Sequence, residues 1–479
     1  MASQEASGSG RSVVLYGIED RPPLGEAIPL GVQHVLAMFL GNVAPPLILA
    51  GAVGSVTGET TFLVQMALIV AGVATVVQAF PIGPVGARLP IVMGTSFAFL
   101  GPLIGIGSQF GLAAVFGAAL AAAPVEIVMG LSLERFRRYF PPLVTGIVVM
   151  LIGLTLIPTG MDYAAGAAAG PSADGYGSFT NLGLAGLVLL VTVVLNQFFS
   201  GFLRVISVFV GIVVGYLAGL ALGVVDLSSV AAAGWVTVPV PLKYGIAFEP
   251  SAVVTVAFLY VITGMETIGD ISGTVAATGR DANHRELRGG LIADGVMSAF
   301  GAVFNALPNT SFSQNVGLVN FTGVASRYVA GIGGVVLVLL GFVPKIGAVV
   351  SAMPAAVLGG GALILFAMIF ASGARLITQN VELNQRNSTI LALSMALGLG
   401  VAFRPEVLQA FPSEVQTFFG SALVTGGISA LVLNIVLPGG GVGAGPTDYS
   451  AGLAPETATD LTEDIPDPSA SSLPGENDD

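Results

Sequence analysis

The stretch LIADGVMSAFGAVFNALPNTSFSQNVGLVNFTGVASRYV, residues 291–329, decides how the rest of the chain is understood. An apolar helix-forming run carries Asp294, breaks at Leu307-Pro308-Asn309, and then presents Thr310, Ser311, Ser313, Gln314 and Asn315 in close succession. Such a run cannot face lipid, because hydrocarbon leaves broken backbone without hydrogen-bond partners unless protein or a water-lined cavity surrounds it. A partner stretch, Phe258 to Asp281, places Glu266 and Asp270 four residues apart, hence on one helix face. Ionisable groups at membrane depth cost from about 2.5 kcal/mol upward and persist mainly where they face a cavity and do something. The two stretches together predict a substrate site.

Composition supplies the setting. Hydrophobic residues make up 54% of the 479 positions and charged ones 9%, with a mean hydropathy of +0.89. A soluble domain carries roughly 25% charged residues, so the chain reads as an all-α polytopic membrane protein. A transmembrane barrel would alternate apolar and polar residues in segments of about ten, whereas these apolar runs are continuous. The absence of cysteine excludes disulfides and Cys-ligated metal. The polar start, MASQEASGSGR, predicts no cleavable signal peptide. Most of the formal charge of −12 belongs to acids between Asp448 and Asp479, and no Lys or Arg follows Arg404. A disordered acidic tail is expected there.

Apolar runs of spanning length begin near Ile28, Phe62, Leu112, Leu143, Leu182, Val205, Val253, Ile292, Tyr328, Ala355, Ile390 and Phe418. Two shorter segments, Met93 to Ile106 and Ser311 to Thr322, hold Gly, Pro, Ser and Asn, which brings the count to about fourteen. With the N-terminus in the cytoplasm, Arg11, Arg21, Arg88, Arg135, Arg137, Arg138, Arg204, Arg280, Arg285, Arg288, Arg327, Arg375 and Arg386 all face inside, and only Lys243, Lys345 and Arg404 face outside. This is the positive-inside bias, and one miscounted span would destroy it. Residues 1–26 are then a cytoplasmic lead, 27–437 the transporter domain, and 438–479 the tail, with both termini cytoplasmic.

The two short segments share Thr-Ser-Phe, at Thr95-Ser96-Phe97 and Thr310-Ser311-Phe312, and each is third in a half of seven. Because seven is odd, the second half enters from the opposite side, giving a 7+7 inverted repeat. Interrupted segments at matching positions point to a secondary transporter's binding site.

Several side chains stand out. His34, beside Gln33 in the first span, is either a helix-packing histidine or a proton-linked or orienting group. Glu266, Asp270 and Asp294 cannot all stay ionised cheaply in a low dielectric, and a carboxyl that changes protonation with conformation is what proton coupling needs. The alternative for Asp270 and Asp294 is an architectural role at broken helices. Glu126 reads as structural or interfacial. Gln314 and Asn315 offer amide donors and acceptors that match a planar ligand edge carrying C=O and N–H groups, or else bonds between helices. Ser96, beside Phe97, is expected among the substrate-binding residues, and Phe97 and Phe312 are either stacking partners for a flat ring or filler.

At these residues the chain resembles the nucleobase–ascorbate transporter family. The run QNVGLVNFTG, Gln314 to Gly323, matches that family's signature at Gln314, Asn315, Gly317, Thr322 and Gly323. The likeness includes QHVLAMF at Gln33, GTSFAF at Gly94, METIGD at Met265, IADG at Ile292 and TGVASRYV at Thr322. It implies core segments 1–4 and 8–11, gate segments 5–7 and 12–14, short strands in segments 3 and 10, homodimers, and symport with protons or sometimes sodium. By motif, Glu266 would grip a purine, Gln314 its other edge, and backbone near Phe97 the remainder. His34, Asp270, Asp294 and Asn315 would be indispensable polar neighbours. Gln314 with Glu266 and Asp270 resembles the xanthine and urate branch more than the uracil branch. Val316 and Asn320 depart from that branch, where Asn and Gln are frequent, which leaves the choice of oxopurine open.

The expectation is a multi-pass cell-membrane symporter that imports xanthine or urate with protons. It would need no metal or cofactor beyond the coupling ion, no nucleic acid, and no covalent chemistry. A uracil carrier on the same scaffold is the alternative. An intramembrane aspartyl protease using Asp270 and Asp294 would want Gly-x-Gly-Asp, where Thr267-Ile268-Gly269 stand instead.

Overall fold

The computed structural model describes residues 14–54, 57–167 and 170–438. The acidic run after Pro438 and the first thirteen residues lie outside the described residues, so the expectations made for them find no counterpart there. In chain order, segments 1 to 7 are Leu24–Ala52, Thr57–Ala79, an interrupted third, Leu112–Ala122 continued by Pro124–Leu131, Pro142–Ala164, Phe179–Phe198 and Ser207–Ala221. Segments 8 to 14 are Pro250–Ala276, His284–Val303, an interrupted tenth, Arg327–Gly341, Ala355–Asn380, Gln385–Phe403 and Ala422–Val436. Segment 3 is strand β1 (Met93–Thr95), one turn over Phe97–Phe99 and helix Leu100–Phe110. Segment 10 is strand β2 (Asn309–Ser311) and helix Ser313–Thr322.

Eight of these helices are long and apolar enough to cross a bilayer unaided, ten when two bent pairs each count as one span. The other four are the interrupted pair, short segment 7, and segment 9, whose first turn is charged. That charged start has a local reason. The Asn283 side chain accepts from the amides of Arg285 and Glu286, and the Glu286 carboxylate accepts from the Asn283 amide, which closes a capping box. Two boundaries differ from the sequence reading. Phe418 belongs to a separate helix, Ser413–Phe419, bent by 75° from segment 14, and segment 11 continues through an 82° bend into Pro344–Ser351. Pro344 opens that second helix, where its missing N–H costs nothing.

The helices pack in two groups. Segments 1, 2 and 11 lie together, as do 4, 8 and 9, and the strands join these sets; segments 5, 6, 7, 12, 13 and 14 pack among themselves. Small residues permit the closest approaches. A Cβ added at Gly153 of segment 5 would stand 2.6 Å from the Phe366 carbonyl of segment 12.

The strands pair antiparallel in mid-fold, Met93 with Ser311, Gly94 with Thr310 and Thr95 with Asn309, and all six residues are buried. Two flanking bonds extend the ladder, Ser96 N–H to the Pro308 carbonyl and Phe312 N–H to the Val92 carbonyl, both 3.0 Å. This local two-fold relates Ser96 to Phe312. The shared Thr-Ser-Phe tripeptides instead align Phe97 with Phe312, one residue off. A one-residue offset in a strand reverses the face a side chain occupies, so the two phenylalanines part company. Phe312 is wedged where a Cβ on Gly41 would meet its ring at 2.5 Å and one on Gly94 at 2.7 Å. Phe97 packs edge-on against Phe366 of segment 12, with ring centroids 5.4 Å apart.

Candidate functional site

Segment 8 presents Thr263, Glu266, Thr267 and Asp270 at helical spacing along one side. Asp270 is fully engaged. It accepts from Ser311 Oγ at 2.5 Å and Ser313 Oγ at 2.7 Å, so one carboxylate ties segment 8 to β2 and to the first turn of the segment 10 helix. A negative charge is favoured at that helix start. Asp294 of segment 9 is equally engaged: it accepts from Gln78 Nε2 at 3.0 Å and from the Thr267 hydroxyl. Gln78 also donates to the Gly290 carbonyl and accepts from the Ala87 amide, so it binds segment 2 to segment 9, and the Thr267–Asp294 bond adds segment 8.

Further polar groups hold the strands. Asn42 Oδ1 accepts from the Thr95 amide at 2.9 Å and its hydroxyl at 3.0 Å, while Nδ2 donates to the Ala67 carbonyl. The Thr75 hydroxyl accepts from the Met93 amide, and the Ser298 hydroxyl accepts from the Asn309 amide. Ser96 is buried, and its Oγ accepts from the Ala98 amide at the turn that starts the segment 3 helix. Asn315 Nδ2 donates to the His34 carbonyl and to His34 Nδ1, both at 3.0 Å. With the amide donating, Nδ1 accepts and the neutral ring's proton sits on Nε2. His34 and Asn315 thus clamp segment 1 to segment 10.

Two of the sequence-predicted residues stand apart. Glu266 and Gln314 are half-buried, and among the described residues neither side chain has a hydrogen-bond partner within the protein. They lie on neighbouring elements. Glu266 is one turn before Asp270, Gln314 follows Ser313, and Asp270 bonds Ser313. One carboxylate and one amide without protein partners thus sit on two elements that the Asp270–Ser313 bond joins, and beside them the buried Asn315 Oδ1 and Asn309 Nδ2 are also unpartnered.

Asn42, Thr75, Gln78, Thr267 and Ser298 escaped the sequence reading. Their signal was present: each is a polar residue inside an apolar helix, where such groups seldom lack a partner. A cavity of about 310 Å³ lies near the start of segment 8, lined by Gln109, Thr155, Thr255 and Gln416 among others. Thr255 precedes Glu266 by three turns, or roughly 16 Å at about 1.5 Å per residue. Among the described residues no group of three His, Asp or Glu could hold a metal ion. Asp270 and Asp294 answer to different hydroxyls and do not form the proton-sharing pair that an aspartyl protease requires.

The lead into segment 1 is also fixed. The amides of Leu15 and Tyr16 donate to the Gly323 carbonyl, Ala325 N–H donates to Tyr16 and Arg327 N–H to Ile18, so residues 15–18 run beside the end of segment 10. Gly323, at φ +67°, makes the left-handed turn that permits this. Glu19 pairs with Arg88 at 2.8 Å and Arg327 at 2.9 Å. Hydrogen bonds from Arg88 and then Arg327 pull its carboxyl down to about 2.

Comparison with known proteins gives a consistent answer. A permease-family model, Xan_ur_permease, matches residues 25–407. The xanthine permease XanP of Escherichia coli is 37% identical over 450 residues, 91% of this chain and 97% of that protein. The xanthine permease XanQ of the same species is 36% identical over 442 residues, 90% and 95% respectively. Among solved structures, the murine Solute Carrier 26 member A9 anion transporter in its inward-facing state matches with a TM-score of 0.57 at 14% identity, over 87% of this chain and 69% of that one. At that identity the likeness concerns fold alone, and the shared fold is the 7+7 inverted repeat.

Proposed function

This chain belongs to the nucleobase–ascorbate transporter family, and from that premise we propose that it is a proton symporter carrying an oxopurine, xanthine or urate, into the cell. It is a multi-pass membrane permease, which moves its solute without covalent chemistry. The xanthine permeases at 36–37% identity support a purine over uracil.

One observation carries the reading. Asp270, Asp294 and Asn42 engage protein partners through every side-chain oxygen, while the Glu266 carboxylate and the Gln314 amide engage none and Asn315 keeps its Oδ1 free. An oxopurine edge alternates N–H and C=O groups. The Glu266 carboxylate accepts from a ring N–H, and the Gln314 amide both accepts and donates along the opposite edge. Backbone at Ser96 and Phe97 completes the slot, and the Phe97 ring closes it on the side of segment 12. Segments 1–4 and 8–11 act as the core that carries the site, and 5–7 and 12–14 as the gate. The cavity beside Thr255 is the approach from outside. Arginines crowd the opposite face, which supports cytoplasmic termini, and we take the working unit to be a homodimer.

Uptake of radiolabelled xanthine into vesicles, with and without an imposed pH gradient and with urate or uracil as competitor, tests this. Xanthine should accumulate when the gradient is inward, urate should compete and uracil should not. Competition by uracil alone would move the chain to the pyrimidine branch.

A further inference from the structure

The proposed cycle leaves one membrane-embedded acid unused. Glu126, in the first turn after the break at Ala123-Pro124 in segment 4, is 0% exposed. Its Oε1 accepts from the Thr263 hydroxyl at 3.3 Å, and its Oε2 has no hydrogen-bond partner. None of the ion pairs among the described residues reaches it. A glutamate serving only to pack helices would be expected to engage both oxygens, since an orphaned buried acceptor weakens the fold.

Its surroundings lead towards the site. Thr263 lies one helical turn before Thr267, whose hydroxyl bonds Asp294 and lies 3.3 Å from the Thr310 hydroxyl and 3.4 Å from that of Ser311; Ser311 in turn bonds Asp270. Hydroxyls and carboxyls therefore line the side of segment 8 from Glu126 to the strands. Tyr260 and Glu266 flank Thr263 at helical spacing on segment 8, and Asp294 lies on segment 9, so these are the titratable groups on the elements packed against Glu126. The cations on adjoining helices, Arg135 and Arg288, are exposed.

We propose that Glu126 is a second proton-binding group of the transport cycle, exchanging one proton with Asp294 or Glu266 along the Thr263–Thr267 side of segment 8. When the Glu126 carboxyl releases its proton it becomes a carboxylate, and a carboxylate at Asp294 or Glu266 becomes a carboxyl. The net charge of the cluster is unchanged, so the exchange adds no buried charge. This inference rests on the symport reading.

The test compares wild type, Glu126→Gln and Thr263→Val in vesicles. Glu126→Gln should lose xanthine accumulation driven by an inward pH gradient, yet retain xanthine counterflow within about twofold of wild type, since Glu266 and Gln314 are intact. Thr263→Val should lose part of the accumulation in the same sense. In infrared difference spectra on adding xanthine, Glu126→Gln should lack one carboxylic-acid carbonyl band that wild type shows. Gradient-driven accumulation at the wild-type level in Glu126→Gln overturns the inference alone. A wild type that ignores the gradient overturns the symport reading and this inference with it. Should Glu126→Gln fail to reach the membrane, Thr263→Val decides by the same readouts, and wild-type accumulation there overturns the inference.

Discussion

Asn42 uses one amide to fasten three elements: its carbonyl oxygen accepts twice from Thr95 of β1, and its nitrogen donates to segment 2. Removing that side chain leaves the Thr95 N–H buried without a partner, which costs about 1–3 kcal/mol. Asn42→Ala is therefore expected to lower the thermal unfolding temperature of the solubilised protein and to weaken xanthine affinity, because Ser96 and Phe97 follow directly. An unaltered melting curve would show that β1 is held by other means. The sequence could not display this role, since a lone amide between Gly41 and Val43 names no partner. The acids were legible because charge stands out against hydrocarbon. What stayed hidden was which acids are satisfied: Asp270 and Asp294 each have two donors, Glu266 has none, and those donors come from segments 2, 8 and 10.

At the scale of elements, the two short strands were visible as broken, glycine-spaced segments, but their register was not. The matching tripeptides suggested equivalent phenylalanines. The ladder instead makes Ser96 the symmetry equivalent of Phe312, leaving Phe312 wedged against Gly41 and Gly94 and Phe97 against Phe366 of segment 12. Tertiary pairing decides register, and a three-residue match cannot. The strap at residues 15–19 was likewise invisible, because Glu19 gains its meaning only beside Arg88 and Arg327. Its carboxyl is held below the ordinary value of 4.5, at about 2. The stabilisation is thus complete above about pH 4.5 and is lost as pH falls towards 2. Glu19→Gln should melt at a lower temperature than wild type at neutral pH, by a modest margin because the pair is half-exposed. The two melting curves should converge as the pH is lowered through that window. A difference that persists unchanged at low pH would contradict the ion-pair account.

For the whole molecule, segment count and inverted halves were legible from hydropathy and the distribution of arginine, since bilayer thickness and the positive-inside bias act on composition directly. The bends at segments 11 and 14 were not, because hydropathy runs on through a turn. A fold shared with anion transporters shows why architecture alone does not name a solute. If the two helix groups move against each other, the Phe97–Phe366 contact must break and re-form. The chain has no cysteine, so a Phe97→Cys, Phe366→Cys pair offers a clean cross-link. Joining the two thiols with a reducible bifunctional reagent should abolish the uptake that the unbridged double variant retains, and adding reductant should return it to that level; uptake unchanged by bridging would mean that this boundary does not move.

The central claim is that Glu266 and Gln314 together hold a flat heterocycle. Equilibrium binding of xanthine to purified wild type, Glu266→Gln and Gln314→Ala tests it most directly. Gln314→Ala should lose about 1–3 kcal/mol of affinity by leaving buried ligand groups unpaired, and Glu266→Gln should bind no xanthine measurably while remaining folded. Wild-type affinity in both variants would contradict the account.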